Sequence, residues 1–253
     1  MDAYMKIPIV KVREGSCSDA DDLIAVEKRL KISVNGKPAL SLYCTPLMVR
    51  ELVVGIVHSE GLIAGEWCAE RMTIDYGDDI LVDIPASGTI REGERTITSG
   101  CGGGISISRR PPDETIKDPS AFSIETIKQI FREFQMTSES YRLTGGVHSA
   151  ALTDGAHMIA FAEDIGRHNA VDKVIGRCLL ESIPFAGKIL LASGRLSSEI
   201  VSKCARSGIP ALVSRAAPTS LAVAFARKAG LTMIGFARGD RMNIYTGRAR
   251  IIL

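Results

Sequence analysis

From about Leu143 to the C-terminus, short apolar segments alternate with longer amphipathic ones, and this rhythm constrains the fold more than any other feature of the 253 residues. Strand-length apolar runs fall at His157–Ala162, Lys188–Ser193, Ala211–Ser214 and Leu231–Ala237. Between them lie helical patterns. The first follows His168 and puts Val171, Val174, Ile175, Cys178 and Leu179 on one stripe. The second runs from Ser198 to Ser207 and stops at Gly208 with Pro210 beyond; the third runs from Thr219 to Ala229 and stops at Gly230. Glycine just past the last helical residue is a stop signal because it takes the left-handed conformation freely. Strands alternating with helices predict an α/β layer with helices packed on a largely parallel sheet.

The N-terminal part reads differently, and two regions are expected: 1–120, β-rich with one helix, and 121–253, the α/β part. Residues 25–34 alternate, with Val26, Leu30, Ile32 and Val34 on one face and Glu27, Arg29, Lys31 and Ser33 on the other. A period of two predicts a half-buried strand. Asn35-Gly36 then marks a type I′ hairpin, whose two central residues need positive φ. Thr45-Pro46 has the form of an N-cap followed by proline in the first turn, predicting a helix from there to about Ser59, before Gly61. Short strands are expected at Met72–Tyr76 and Ile80–Ile84. Ser123 opens an amphipathic helix with Ile124, Ile127, Ile130, Phe131 and Phe134 at helical spacing.

Composition removes several function classes. Thirty-one Lys and Arg against 29 Asp and Glu leave a formal charge of +2, too near neutral for a dedicated nucleic-acid or membrane-surface protein. No apolar run approaches the ~20 residues of a membrane span, and the first ten residues lack the layout of a signal peptide. A cytoplasmic protein is the expectation. The six cysteines (17, 44, 68, 101, 178 and 204) contain no C-x-x-C pair and no zinc-ligand spacing, so no metal site is expected.

Cys101 lies in Ser-Gly-Cys-Gly-Gly-Gly, a segment nearly bare of side chains, where a thiol can meet more than one partner. It reads either as a nucleophile or as an incidental cysteine. Cys178 and Cys204 fall on apolar helix stripes and read as core. The ends of the expected strands carry Glu163 through Asp172, Ser193-Gly-Arg-Leu-Ser197, Arg215, and Phe236-Ala-Arg-Gly-Asp-Arg241. Ligands of α/β sheets bind outside the carboxyl ends of strands. Arginine, glycine and aspartate collected there suit a phosphate-rich, nucleotide-like ligand. None of these turns is a G-x-G-x-x-G or a P-loop. His168 either binds an anion or caps its helix, and Phe236 either stacks on a base or plugs the core. His148 is a lone histidine. A zinc deaminase is excluded, because neither His148-Ser-Ala nor His168-Asn-Ala has the H-x-E form and no C-x-x-C exists.

Taken together, Thr144-Gly-Gly-Val-His148, Glu163-Asp-Ile-Gly-Arg-His-Asn-Ala-Val-Asp-Lys173, Ser193-Gly-Arg195, Gly208 through Ser220, and Gly235-Phe-Ala-Arg238 with Arg241-Met-Asn-Ile-Tyr245 resemble the FdhD family of sulfur carriers and formate dehydrogenase accessory proteins. The resemblance implies a cytidine-deaminase-like three-layer C-terminal core without zinc, joined to a smaller β-rich N-terminal domain, and a homodimer. It implies a sulfurtransferase that takes persulfide sulfur from a cysteine desulfurase and delivers it to the molybdenum bis(molybdopterin guanine dinucleotide) cofactor for formate dehydrogenase. By the same resemblance Cys101 matches the persulfide cysteine. The segment Phe236, Ala237, Arg238, Gly239, Asp240 and Arg241, with Asp164 and His168 beside it, is expected to hold the guanine nucleotide. One departure stands out: the family shows C-x-x-C in the cysteine loop, and Gly104 occupies the second position here. That leaves a cofactor-binding chaperone with no covalent step as the alternative.

Overall fold

The computed structural model describes residues 2–91, 96–97, 105–106 and 115–253; Cys101 and Gly104 lie outside the described residues. A long antiparallel hairpin comes first, β1 (Tyr4–Arg13) and β2 (Ser16–Ala25). Its second strand is rich in Asp and Ser, residues depleted in strands, so no sequence pattern announces it. Ala25 closes this hairpin, and the period-two strand read from residue 25 begins at Lys28 instead, as β3 (Lys28–Val34). It turns through Asn35 (φ 51°) and Gly36 (φ 74°) into β4 (Lys37–Cys44), the two positive φ values that the dipeptide predicted.

Helix α1 (Val49–Glu60) ends at Gly61 as expected but starts later than Thr45-Pro46 indicated. Thr45 is drawn instead to the buried carboxylate of Asp164, and Met48 (φ 54°) takes the entry position. Then come β5 (Ile63–Ala64), β6 (Thr73–Tyr76), β7 (Ile80–Ile84) and β8 (Thr89–Ile90). Strands in the order β4-β3-β7-β6 form one sheet. Leu30, Ile32, Ile80 and Val82 on its inner face share a core with Leu52, Val53, Ile56 and Val57 of α1.

Two-residue rungs β9 (Thr96–Ile97) and β10 (Ile105–Ser106) precede β11 (Phe122–Ser123), which pairs with the C-terminal strand described below. Helices α2 (Ile124–Thr137) and α3 (Glu139–Thr144) follow. The large sheet is built from β12 (His148–Thr153), β13 (Met158–Asp164), β14 (Ile189–Ala192), β15 (Ala211–Ser214), β16 (Thr232–Arg238) and β17 (Arg241–Thr246), in the order β13-β12-β14-β15-β16-β17. Only β14–β15 and β15–β16 are parallel, so the expectation of a largely parallel sheet is corrected to a mixed one. The antiparallel strands β12 and β17 are those that the strand–helix rhythm did not contain. Strand β18 (Ile251–Ile252) pairs with β11 and closes the chain.

Helices α4 (Arg167–Leu180), α5 (Ser198–Ser207) and α6 (Ser220–Ala229) cover one face of this sheet, with Val171, Ile175, Val201, Phe225 and Ala226 packed on Leu152, Leu190, Leu212 and Met233. On the other face, Ile127, Ile130, Phe131 and Phe134 of α2 pack on Ala151, Leu191, Val213 and Ile234. Adjacent residues such as Leu190 and Leu191 therefore both reach a core. Burial on both faces is why these strands read as unbroken apolar runs. No helix among the described residues is long and apolar enough to cross a membrane.

The two regions meet where α1 crosses α4. A Cβ on Gly55 would lie 1.9 Å from the Asp172 carbonyl oxygen, and one on Gly176 would lie 1.8 Å from that of Glu51. Only glycine at both positions lets the two backbones touch.

Candidate functional site at the carboxyl edge of the sheet

Sheet register brings the strand ends singled out in the sequence to one edge. His148 pairs with Asp164, Ala150 with Ala192, Ala192 with Ser214, and Arg238 with Arg241. Helices α4, α5 and α6 follow β13, β14 and β15, so their N-termini lie along this edge, where free N–H groups and the helix dipole favour anions.

Asp164 does not face a ligand. Its carboxylate is fully buried and pairs with Lys173 at 2.6 Å, a lysine with no exposure either. Thr45 donates to it from N and Oγ1 (3.1 and 3.0 Å), and Gly166 N and Asn169 Nδ2 donate to its other oxygen (2.9 and 2.8 Å). Asn169 also donates to Tyr43 O at 2.9 Å. A second cluster joins Asp172, Lys203, Glu60 and Ser59: Lys203 lies 3.0 Å from Asp172 and 2.6 Å from Glu60, and Ser59 Oγ donates to Asp172 at 2.6 Å. Burial pushes the Asp172 carboxyl up to about 6, against the pull of Lys203. Burial also opposes the charge of Lys203, yet Asp172 and Glu60 outweigh it and hold that ammonium above its ordinary value. Much of the Glu163–Lys173 motif thus fastens the β3–β4–α1 region to the large sheet.

Arg167 and His168, at the start of α4, remain at the edge. Gly194 makes room for Arg167: a Cβ there would lie 2.8 Å from the arginine side chain. His148 Nδ1 lies 3.2 Å from Ser193 Oγ, which accepts from Ser149 N at 3.0 Å. Burial, then Arg167 and Arg215, hold His148 below its ordinary pKa. Burial, then Arg167, Lys203, His148 and Arg195, hold His168 well below its own. Both imidazoles are neutral at pH 7 and sit in a positive field.

The 236–241 segment is a hairpin end, with Arg238 on β16, Arg241 on β17 and Gly239 (φ 56°) in the turn. Arg238 Nε donates to Arg215 O at 3.2 Å, tying the hairpin to the end of β15. Asp240 is exposed and paired with Arg132 of α2. Phe236 is half-buried at φ 53°, a backbone state costly for an aromatic residue, and its ring belongs to none of the described core clusters. Ala237 is buried among the α2-side core residues. Sequence reasoning took His148 as a lone histidine and passed over Ser193 as a partner; the missing signal was strand β12, whose register places them together.

Cys44, Cys178 and Cys204 are buried, and burial pushes their thiols up to about 12, 11 and 12. Of the described cysteines, Cys17 is exposed and Cys68 half-buried. The residues following the Cys101 segment start at the far edge of the sheet. Ile116 N donates to Ala229 O at 2.8 Å, at the end of α6 and beside the start of β16. Strand β16 separates that point from Arg238 by about 20 Å at ~3.3 Å per residue. Thirteen residues lie between Cys101 and Thr115 in the sequence. No group of three or more His, Cys, Asp or Glu placed to hold a metal occurs among the described residues.

With this geometry in place, the comparison with known proteins is decisive. Residues 25–252 match the model of the FdhD/NarQ family. The chain belongs to that family. A sulfur carrier protein FdhD from Bacillus pumilus is 38% identical over 250 residues, covering 96% of this chain and 95% of the relative. The same-named protein of Bacillus subtilis is 35% identical, covering 95% of each. A crystal structure from Desulfotalea psychrophila, described as that of a candidate formate dehydrogenase accessory protein, superposes with a TM-score of 0.81 at 27% identity. It covers 99% of this chain and 100% of its own. Within the FdhD/NarQ family, then, Asp164, Asn169, Asp172 and Lys173 of this member are taken up by buried contacts, while Arg238, Gly239, Asp240 and Arg241 are exposed at the hairpin end.

Proposed function

We propose that this chain is a sulfurtransferase acting as a sulfur carrier for a molybdenum enzyme. The Cys101 thiolate attacks the terminal sulfur of a cysteine desulfurase persulfide. A new S–S bond forms as the donor's S–S bond breaks, and the desulfurase cysteine leaves as thiolate, with no net oxidation. The outer sulfur is then delivered to molybdenum bis(molybdopterin guanine dinucleotide), the substrate, before it enters formate dehydrogenase: the Cys101 S–S bond breaks, Cys101 leaves as thiolate, and a thiol reductant supplies the two electrons that bring the sulfur to the sulfide level. The protein works in the cytoplasm as a homodimer, and its mixed six-stranded sheet with helices on both faces is compatible with a deaminase-like core. The observation that carries the reading is the set of Arg167, Arg195 and Arg215 beside neutral His148 and His168, with Arg238 and Arg241 at the neighbouring hairpin end of the same sheet edge, in a chain whose relatives are named sulfur carriers. A guanine nucleotide end of the substrate docks against Phe236–Arg241. Arg238 and Arg241 supply charge-assisted bonds, and Asp240 exchanges Arg132 for a guanine edge.

Gly104, in place of the second cysteine that the family pattern implies, favours one competing reading: cofactor binding without a covalent step. Complementation of a strain lacking this protein separates the two by formate dehydrogenase activity. Wild type is expected to restore activity and Cys101→Ala to fail. Restoration by Cys101→Ala would replace the sulfur-transfer reading with the chaperone.

A further inference from the structure

We propose that the free edge of β2 is a docking strand, which takes up by strand addition an extended segment of a partner protein with lysine or arginine at alternate positions. The inference goes beyond the sulfur-transfer reading and does not depend on it.

Among the described residues, β1 and β2 pair only with each other. A two-stranded ribbon is marginal in water, and each outer edge of one offers a row of unpaired amides and carbonyls. The turn decides which residues these are. Glu14 (φ 48°) and Gly15 (φ 80°) make a two-residue loop that closes on Arg13 and Ser16 as a hydrogen-bonded pair. Bonded and non-bonded pairs alternate from there. The backbone groups of Lys6, Pro8, Val10 and Val12 therefore point away from β2, and those of Cys17, Asp19, Asp21 and Leu23 point away from β1. Pro8 has no N–H, which interrupts the β1 edge at its middle. On β2, Leu23 N is taken by Asp22 Oδ1 at 3.1 Å, and a Cβ on Gly146 would lie 3.3 Å from that of Ala25. The outward amides of Cys17, Asp19 and Asp21 stay open among the described residues, and all three residues are exposed.

The side chains beside that edge select the occupant. Pro8 pairs with Asp21 and Val10 with Asp19, so these four share one face of the ribbon. With Ile9 and Ala20 they line an open groove of about 450 Å³. Its β1 wall is apolar, with Val10 63% exposed, and its β2 wall is acidic. Lys6 reaches Asp21 at 2.7 Å across this face, which shows what fits: an aliphatic stem ending in a cation. No cation among the described residues reaches Asp19. Aspartates along an edge repel an acidic strand, β2 of a second copy included, and Pro8 keeps the β1 edge of a second copy from continuous pairing. A basic strand of another protein meets neither obstacle. Its backbone would bond to the open amides, and its cations would lie against Asp19 and Asp21.

Fluorescence anisotropy of a labelled Val-Lys-Val-Lys-Val-Lys-Val peptide, titrated with the full chain, tests this. Wild type is expected to bind it and not to bind the counterpart with Glu in place of Lys. Asp19→Asn keeps the amide and should weaken binding about two- to fivefold, the worth of one exposed charge pair. Asp19→Pro removes the outward amide and spares the bonds to β1, as Pro8 does on the opposite strand, and should abolish binding. In wild type, the amide hydrogens of Cys17, Asp19 and Asp21 should exchange more slowly once the peptide is added, a readout that does not depend on a variant folding. No binding by wild type, equal binding of the Glu peptide, or unchanged exchange at these three amides overturns the proposal. Full binding by Asp19→Pro overturns it as well. So does a dimer that dissociates in Asp19→Pro, because a second copy then holds the edge.

Discussion

At the residue scale, the account turns on which side chains are already occupied. Asp164 looked like a ligand because it ends a strand, and nothing in the sequence says that Lys173 and Thr45 take up its oxygens. His168, three positions before the start of the α4 apolar stripe, kept two readings open until its unpartnered nitrogen was visible. Its depressed pKa gives a stability signature. Unfolded, the imidazole titrates near 6.5; folded, it stays neutral well below that. Its contribution is therefore complete above pH 6.5 and is lost as pH falls toward its folded pKa. Asp172, raised to about 6, acts in the opposite sense over the lower part of that window and is common to both proteins compared. Urea unfolding at pH 7.5 and pH 5.5 should show a smaller acid loss in His168→Gln than in wild type; equal losses would show that His168 is not held neutral. Phe236 makes a second residue-scale case. Its positive φ costs about 1–3 kcal/mol, so Phe236→Gly relieves strain while removing a half-buried ring. Its stability should stay within about 1 kcal/mol of wild type, with GDP affinity down about tenfold or more; a full core-truncation cost of about 3–5 kcal/mol would instead mark the ring as a core plug.

At the scale of elements, the contact between α1 and α4 decides whether the two regions stay joined. A methyl group on Gly176 would meet the Glu51 carbonyl at 1.8 Å, backbone that a rotamer change cannot clear. Gly176→Ala is expected to cost about 3 kcal/mol or more, the upper end of overpacking, read as a lower midpoint in chemical unfolding. A change under about 0.5 kcal/mol, the range of neutral surface substitutions, would mean the helices do not touch. The helices themselves were legible: α2, α4, α5 and α6 carry apolar stripes and glycine or serine punctuation that depend only on local sequence. Strands β12 and β17 were not. Their residues, His-Ser-Ala-Ala-Leu-Thr and Arg-Met-Asn-Ile-Tyr-Thr, lack a strong period, and they become strands by pairing with β14 and β16, which are distant or antiparallel partners. The start of α1 was misplaced for a related reason: Thr45 has the chemistry of a cap, and a buried ion pair 119 positions away outcompetes the helix for it.

For the whole molecule, the two buried ion clusters hold the β3–β4–α1 region and the large sheet as one body. Lys173→Met leaves Asp164 buried without its cation, and breaking one side of a buried pair costs about 3–5 kcal/mol. Calorimetric unfolding should show that loss, whereas an unchanged midpoint would mean that the pair is solvated. On this frame the sequence motif that reads as one site divides into a joint and an edge. The arginines of the edge stand at one end of β16, and the residues following the Cys101 segment are tied down at the other. Core thiols with pKa values pushed up to about 11–12 cannot supply a thiolate at neutral pH, so sulfur chemistry falls to an accessible cysteine. Cys17 and Cys68 are the described alternatives. Intact-protein and peptide mass measurement after incubation with a cysteine desulfurase and cysteine is the most direct test. Cys101 is expected to gain one sulfur atom, in wild type and in the Cys17→Ser and Cys68→Ser variants alike, and Cys101→Ala to gain none. Sulfur found on Cys17 or Cys68, or retained in Cys101→Ala, would contradict the account.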